Sequence, residues 1–341
     1  AEGLTATNLK TARALVADVS DRVDASILLA AREVDDDVQI VSVVEEPERA
    51  RYHELAGADA VLSPRPLLGH RLAEVVTGGI ATDGSDGIEI GEDFGVAEVM
   101  VHQGGWMTGK TLSETDLRDR AGVNVIGAWR RGSFETPVDP VATLEPGTIL
   151  LVTADPRRLE RLEQLPMGSV RKFDEGDIVV VGHGEVGKQV TAALDQSNHT
   201  YTVVDREDGP AVDVVGEASD LDTLRAAGID EARSAVLAIP DDVEAEFATL
   251  VMRDQNPDLD IAARAEEHEA VQKLYRAGAN YALSLGQVTG RMIASAVVEG
   301  EDVVSTDTQI EVVEMVAPDL AGKTLGEAAV PGRTGCTVVA V

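Results

Sequence analysis

Short apolar runs alternate with amphipathic segments along most of the chain, which is the pattern of α/β proteins built on parallel sheets. The clearest run is Ile178–Val181, which leads into a glycine-rich loop and then into a helical pattern at Lys188–Leu194. A second apolar run, Thr200–Asp205, ends in a carboxylate. The order strand, glycine loop, helix and strand predicts a nucleotide-binding Rossmann unit.

The loop reads Gly182-His183-Gly184-Glu185-Val186-Gly187, a G-x-G-x-x-G pattern. In this pattern the first glycine allows a tight turn, the second lets a pyrophosphate approach the backbone, and the third lets the helix pack closely on the strand. Asp205 stands at the sequence distance expected of a carboxylate that binds ribose hydroxyls. Arg206, the next residue, favours binding of the 2′-phosphate of NADP, but the Asp205 carboxylate would repel that phosphate. The sequence therefore favours NAD or an adenine nucleotide over NADP.

An internal repeat sets the predicted architecture. Leu55–Ser63 matches Arg276–Ser284 at an offset of about 221 residues, and Gly109–Glu114 matches Gly322–Glu327 at an offset near 213. Each copy is predicted to hold a Rossmann-like half, a crossover helix and a small α+β module. Because the first copy lacks opening strands and a glycine loop, and the second copy stops inside its small module, we expect the sequence to be cut at both ends.

The predicted fold class is α/β, with tandem Rossmann-like, parallel doubly wound domains that are each followed by a crossover helix and a small α+β module. The predicted segments are a partial Rossmann-like domain at 1–66, a crossover helix and loop at 67–87, a small module at 88–166, a complete Rossmann-like domain at 175–285, a second crossover helix at 286–300 and a truncated small module at 301–341. Within them the pattern predicts a buried strand at Ala12–Ala17, a half-exposed strand at Val96–Val101 and a helix at Lys110–Leu117.

The amino-acid composition disfavours or excludes several kinds of function and site. The formal net charge of −32 disfavours binding to nucleic acid and to anionic membranes. Cys336 is the only cysteine, which excludes a disulfide framework and a zinc site built from cysteines, and fits a reducing cytoplasm. No apolar run approaches the roughly 18 to 20 residues of a membrane span. We expect a cytosolic protein from a salt-accumulating halophile, because salt screens such self-repulsion.

The order of the segments resembles the regulator of K⁺ conductance (RCK) family. The resemblance rests on Ala-Gly-Ala-Asp59 followed by Val-Leu-Ser-Pro64, and on the small Gly-Lys-Thr-Leu module, and it covers nearly the whole chain. The family comprises regulatory subunits of Trk and Ktr transporters and gating domains of prokaryotic K⁺ channels. It implies a homodimer swapped through its crossover helices, assembly into a gating ring on a membrane pore, and a place at the inner face of the cell membrane. It also implies adenine nucleotides, dinucleotides or Ca²⁺ as ligands.

The resemblance assigns roles to residues of this chain. It implies that the loop residues contact the phosphates; they are Gly182, His183, Gly184, Glu185, Val186 and Gly187. It implies that Asp205 contacts the ribose and that the adenosine lies beside Glu217 and Ala218. It also implies that Ile239, Pro240 and Asp241 line the site at the end of a strand, and that Arg264 faces the phosphates. Two departures stand out. Glu217 replaces the family's usual aspartate, and the helix after Asp205 is nearly absent, so one wall of the pocket is expected to be open. The first copy has Val43 at the position of Arg264.

Other readings of these residues remain open at the level of sequence. Arg264 could form a surface salt bridge with Glu266 or Glu267 instead of facing a phosphate. Carboxylates at strand ends could form an oxygen cage for Ca²⁺, a reading that Arg264 opposes; they are Glu217, Asp241, Asp242, Glu266 and Glu267. An NAD-dependent oxidoreductase is the alternative function, but the small modules offer neither a general acid nor an arginine for a substrate carboxylate. We therefore expect a non-enzymatic sensor that controls K⁺ transport.

The charge generates a first prediction. Lowering KCl from the molar range should lower the midpoint of thermal unfolding, because the Debye length grows from about 3 Å at 1 M to about 10 Å at 0.1 M and repulsion among the carboxylates strengthens. Circular dichroism melts across a KCl series measure this. A chain that stays equally stable at low salt would contradict the halophilic assignment.

Overall fold

The structure is a computed structural model that describes residues 4, 8–77, 88–89, 95–163, 178–297, 320, 322–328 and 330. The described residues fall into two compact units. The first unit takes the residues up to Thr77 and those of Ile178–Val297, and the second takes the residues between 88 and 163 together with those from 320 onward. Both Rossmann-like halves of the predicted repeat therefore belong to the first unit.

The first copy is a three-stranded parallel sheet in the order β1-β2-β3, with helices between the strands. Its elements are β1 (Ala14–Ala17), α1 (Asp21–Val34), β2 (Gln39–Val43), α2 (Ala50–Leu55), β3 (Ala60–Leu62) and α3 (Pro64–Thr77). The crossover helix α3 thus begins at Pro64. Its buried residues cover more than half of the helix circumference, so it is less amphipathic than a surface helix.

The first small module follows, with an antiparallel sheet in the order β4-β5-β8-β6-β7. Its elements are β4 (Ile88–Glu89), β5 (Gly95–Met100), α4 (Leu117–Ala121), β6 (Asn124–Arg130), β7 (Ser133–Glu135), β8 (Ile149–Ala154) and α5 (Pro156–Glu163). Its core is apolar and includes Val99, Met107, Leu144 and Leu150.

The second copy is a six-stranded parallel sheet in the order β11-β10-β9-β12-β13-β14. Its elements are β9 (Ile178–Val181), α6 (Glu185–Gln196), β10 (Tyr201–Asp205), β11 (Val214–Val215), α7 (Leu221–Ala226), β12 (Ser234–Leu237), α8 (Asp242–Gln255), β13 (Asp260–Ala265), α9 (His268–Ala277), β14 (Tyr281–Ser284) and α10 (Leu285–Val297). The strand order reverses between β9 and β12, and ligands of open α/β sheets bind at such a switch point. The second small module is described only around the short helix α11 (Leu325–Ala328), so most of the segment predicted at 301–341 lies outside the described residues.

The two copies exchange their crossover helices within the first unit. Helix α3, from the first copy, packs on α6 and on β12, β13 and β14 of the second copy. Helix α10, from the second copy, packs on β2, β3 and α3. Hydrogen bonds join the copies at both places: the side-chain amide of Gln39 donates to the carbonyl of Ala296 at 2.8 Å, and the Ser234 hydroxyl donates to the carbonyl of Val76 at 3.5 Å.

The repeat extends to individual hydrogen bonds. Arg32 reaches from α1 to the carbonyl of Gly57, with its Nη2 at 2.7 Å, and to the carboxylate of Asp59 at 2.8 Å. These three positions recur 221 residues later as Arg253, Gly278 and Asn280. Arg253 donates through Nη2 to the carbonyl of Gly278 at 2.7 Å and to the side chain of Asn280 at 2.7 Å. Both arginines thus tie a helix to the turn that precedes a later strand.

Two further pairs of contacts repeat in the same way. Asp21 accepts a hydrogen bond from the amide of Glu45 at 2.8 Å, and Asp242 accepts one from the amide of Glu266 at 2.7 Å. In the small modules, the amide of Thr111 donates to the Glu114 carboxylate at 2.8 Å, as that of Thr324 donates to the Glu327 carboxylate at 2.9 Å. The predicted tandem fold is confirmed in these contacts.

Two strands differ from their predicted burial. The strand predicted as half-exposed at Val96–Val101 is β5, and all six of its residues are buried. The alternation was misleading because Glu98, the charged residue that marked the exposed face, is only 5% exposed. The strand predicted as buried at Ala12–Ala17 begins at Ala14, and its Val16 is 39% exposed. Among the described strands β1 is an edge strand, whereas its counterpart β12 has a neighbouring strand on each side.

The helix predicted at Lys110–Leu117 is also wrong. The structure has a 3₁₀ turn at Ser113–Thr115, and helix α4 starts only at Leu117. Two local features explain the difference. The bonds between Thr111 and Glu114 close a single turn, and Asp116 adopts a left-handed conformation with φ of +50°, which ends the turn before a helix can continue.

Candidate functional site

The glycine loop joins β9 to α6 in the tight form that its sequence predicts. Gly182 has φ of +94°, a conformation that favours glycine, and a Cβ there would lie 2.9 Å from the Ile239 side chain. A Cβ on Gly187 would lie 1.9 Å from the carbonyl oxygen of Gly182. Any side chain at Gly187 would therefore force the helix away from the strand end, so both glycines are required by the close approach of backbone to backbone.

Gly184 provides the open face of the loop. It is the N-cap residue of α6, it is exposed, and a Cβ built on it would meet nothing within 4 Å. Gly184 has no side chain to cap the helix, so the amides of the first turn are left for water or a ligand. An uncapped helix N-terminus with room in front of it is suited to bind phosphate oxygens.

Asp205 fastens the loop to the neighbouring strand. Its carboxylate accepts hydrogen bonds from the amide of His183 at 2.6 Å and from the amide of Glu207 at 2.9 Å. The side chain is half-buried at the end of β10, beside the switch point of the sheet. An ionised carboxylate has about four acceptor sites, so two backbone bonds leave capacity for the hydroxyls of a ribose. Asp205 thus holds the loop and presents acceptors in front of it.

The first turn of α6 carries its own ion pair. Lys188 Nζ lies 2.6 Å from Glu185 Oε1, and this hydrogen bond raises the pKa of Lys188. The pairing reduces the repulsion that the Glu185 carboxylate would exert on a bound phosphate. His183 is half-buried, and its Nε2 lies 3.5 Å from the Thr191 hydroxyl, so it packs along the helix.

The residues between β10 and β11 line one side of the site. No helix forms among the residues between β10 and β11, and Arg206 and Glu217 are exposed while Ala218 is buried. Gly216, which the sequence analysis did not single out, holds this edge in place. Its amide donates to the Asp205 carbonyl at 2.9 Å, and a Cβ on it would lie 2.2 Å from the Thr223 hydroxyl.

Glu244 is a second residue that the sequence analysis missed. Burial raises the pKa of its carboxyl, and the neighbouring carboxylate of Glu217, which also shares a hydrogen bond with it, raises it further. Arg206 opposes this shift and Asp241 adds to it. Glu244 lies in the first turn of α8 and Glu217 follows β11, so only the folded sheet brings the two carboxyls together.

The remaining predicted residues lie at two separate strand ends. Ile239 is half-buried against the glycine loop, whereas Pro240 and Asp241 are exposed. The Asp241 side chain caps α8, since it accepts a hydrogen bond from the Glu244 amide at 2.8 Å. The residues from 239 to 241 thus lie at the mouth of β12, next to β9.

Arg264 lies on β13, two strands away from the glycine loop. It is 5% exposed, and its guanidinium is bonded to the Glu266 carboxylate. Burial lowers the pKa of Arg264, and Glu266 opposes that shift. The salt bridge with Glu266 is therefore present, but its arginine end is buried whereas the Glu266 side chain is 39% exposed. A phosphate contact of Arg264 stays a prediction.

No metal centre is evident in the part of the chain that the structure describes. Among those residues no three His, Cys, Asp or Glu side chains are grouped so that they could hold a metal ion. Nor is any helix of the described ranges both long and apolar enough to span a bilayer.

Comparison with known proteins gives the family. The TrkA-N domain family matches residues 1–64 and 178–285, and the TrkA-C domain family matches residues 96–167. The RCK domain of GsuK is 30% identical in sequence, with a TM-score of 0.68 over 97% of this chain and 72% of that one. The chain belongs to the RCK family.

Other similar proteins include a further channel structure and two proteins named as potassium channels. The structure of the GsuK channel bound to NAD is 31% identical, with a TM-score of 0.63, and covers 96% of this chain and 59% of that one. From Methanocaldococcus jannaschii, potassium channel protein 1 is 27% identical over 54% of this RCK chain, and probable potassium channel protein 2 is 29% identical over 48%. This chain spans 60% and 55% of the length of those two proteins.

The raised pKa of Glu244 generates a second prediction. Its folded pKa lies above its ordinary value of 4.5, so folding disfavours the charged form. The cost is absent below the ordinary value, grows as the pH rises from that value to the folded pKa, and is constant above the folded pKa. Glu244→Gln should therefore raise the unfolding midpoint relative to wild type at pH 7, with the difference disappearing toward pH 4. Thermal melts of both proteins across this pH range at constant KCl measure the difference in midpoint. A difference that does not vary with pH would contradict the prediction.

Proposed function

We propose that this RCK chain is a ligand-sensing regulator of K⁺ transport through a membrane pore, with NAD(H) or an adenine nucleotide bound at the glycine loop of its second copy. It would act at the cytoplasmic face of the membrane, as a dimer or a larger ring. The observation that carries the proposal is the open N-terminus of α6 at Gly184, with the Asp205 carboxylate fixed beside it.

The proposal assigns one part of a nucleotide to each part of the site. Phosphates would bind the amides at the start of α6, from Gly184 to Val186, since a Cβ on Gly184 would meet no atom within 4 Å. Ribose hydroxyls would donate to Asp205. The adenosine would lie toward Glu217 and Ala218 on one side and Ile239 on the other. The NAD-bound structure of the GsuK channel supports this ligand class.

Regulation follows from binding alone in this proposal. A ligand that binds one conformation of an assembly better than another shifts the balance between them, and no chemical step is needed. The channel relatives support a regulatory role. An oxidoreductase therefore enters only as an outcome of the test.

Gly184→Asp tests the proposal. The added side chain has room, and Gly184 has φ of −69°, so the domain should fold with an unchanged midpoint. Its carboxylate would occupy the place of the phosphates and repel them, so NAD should no longer bind. Titration calorimetry with NAD, ATP and ADP in molar KCl measures the loss.

Gly290→Asp is the matched control. Gly290 lies in α10, is exposed, and a Cβ added to it would likewise meet nothing within 4 Å, so this variant adds the same charge away from the loop. It should bind NAD like wild type. If no nucleotide binds wild type, or if Gly184→Asp binds as well as its control, the proposed site is wrong. Turnover of NADH with a substrate would favour the oxidoreductase.

A further inference from the structure

The two copies make a close contact directly behind the glycine loop. Helix α3 of the first copy runs along α6 of the second, and Gly69 is where they meet. A Cβ on Gly69 would lie 2.7 Å from the carbonyl oxygen of Val186 and 2.6 Å from the Cβ of Gln189. Since the first of these atoms is backbone, it cannot give way by a change of rotamer. Glycine is therefore what lets the two helices approach this closely.

The rest of α3 is held firmly against the second copy. Leu68 and Leu72 are fully buried, and the helix packs on β12, β13 and β14. Near its C-terminal end, the Val76 carbonyl accepts the hydrogen bond from Ser234 on β12. Arg71 is buried as well and pairs with Glu74 at 3.0 Å. Helix α3 therefore provides a fixed surface on which α6 rests.

The equivalent glycine of the other copy provides a control position. Gly290 occupies the same position in α10 that Gly69 occupies in α3, 221 residues later. A Cβ on Gly290 would meet nothing within 4 Å among the described residues. The sequence holds no first-copy counterpart of α6, so the space around Gly290 is not a difference between the copies; Gly290 serves only as a control position with room for a methyl group.

We propose that Gly69 is a positioning residue for the nucleotide site, so that the first copy completes the site of the second. Val186, whose carbonyl touches Gly69, is in the first turn of α6, and the amides of that same turn face the phosphates. A shift of α6 on α3 would therefore move the donors relative to Asp205, which is anchored on β10. The inference rests on the proposed nucleotide site at Gly182–Gly187.

Gly69→Ala tests the inference. The added methyl group forces α3 and α6 apart, and the NAD dissociation constant should rise on the order of tenfold, since small misplacements of binding groups weaken binding strongly. Gly290→Ala, the matched control, should bind NAD like wild type. Titration calorimetry gives the dissociation constants, and thermal melts without ligand give the stabilities. A Gly69→Ala protein that is less stable but binds NAD normally would show that Gly69 is merely structural and would overturn the inference.

A second measurement needs no variant. If α3 positions the loop, bound NAD must in turn stabilise α3, because coupling between two sites is reciprocal. NAD should slow hydrogen exchange of the amides in Pro64–Thr77 of wild type, and unchanged exchange there would overturn the inference. If wild type does not bind NAD at all, both the proposed function and this inference are wrong. If wild type binds NAD and Gly69→Ala binds it equally well, only this inference is wrong.

Discussion

The exchange of crossover helices is the constraint on which the first unit depends. Helix α3 buries its surface on the sheet of the second copy, and α10 covers the sheet of the first. Leu68 and Leu72 of α3 are fully buried, and burial of a leucine side chain contributes about 1.5 to 3 kcal/mol. The two copies are thereby joined into one compact unit. The family resemblance implies such a swap between two subunits, and in this chain it takes place between two copies on one polypeptide.

A strongly acidic chain that binds a phosphate needs donors that its own carboxylates do not neutralise. Two cations of the candidate site are already paired: Lys188 with Glu185, and Arg264 with Glu266. Backbone amides at the start of α6 carry partial positive charge without a counter-ion. These amides act at contact distance, where salt screens the attraction little. The long-range repulsion between a bound anion and a chain with a net charge of −32 is screened at high ionic strength. Molar salt and an amide-lined site are therefore consistent with each other.

Sequence predicted the features that depend on local geometry. The glycine loop and Asp205 could be found because a tight strand-to-helix turn requires glycine at fixed spacing, and the repeat could be found because both copies keep the same turn and capping residues. The features that sequence missed are set by distant parts of the chain. Glu98 is buried by the packing of a whole sheet, Glu244 meets Glu217 only across strand ends, and Gly69 meets Val186 across roughly a third of the chain. A periodic pattern along one helix carries no information on such partners.

A crystal structure of the chain grown with NAD in molar KCl would show whether the glycine loop of the second copy holds a nucleotide. We expect phosphate oxygens within hydrogen-bond distance of the amides at Gly184–Val186, and ribose hydroxyls bonded to the Asp205 carboxylate. NAD bound elsewhere, or a loop without nucleotide at saturating NAD, would contradict this expectation.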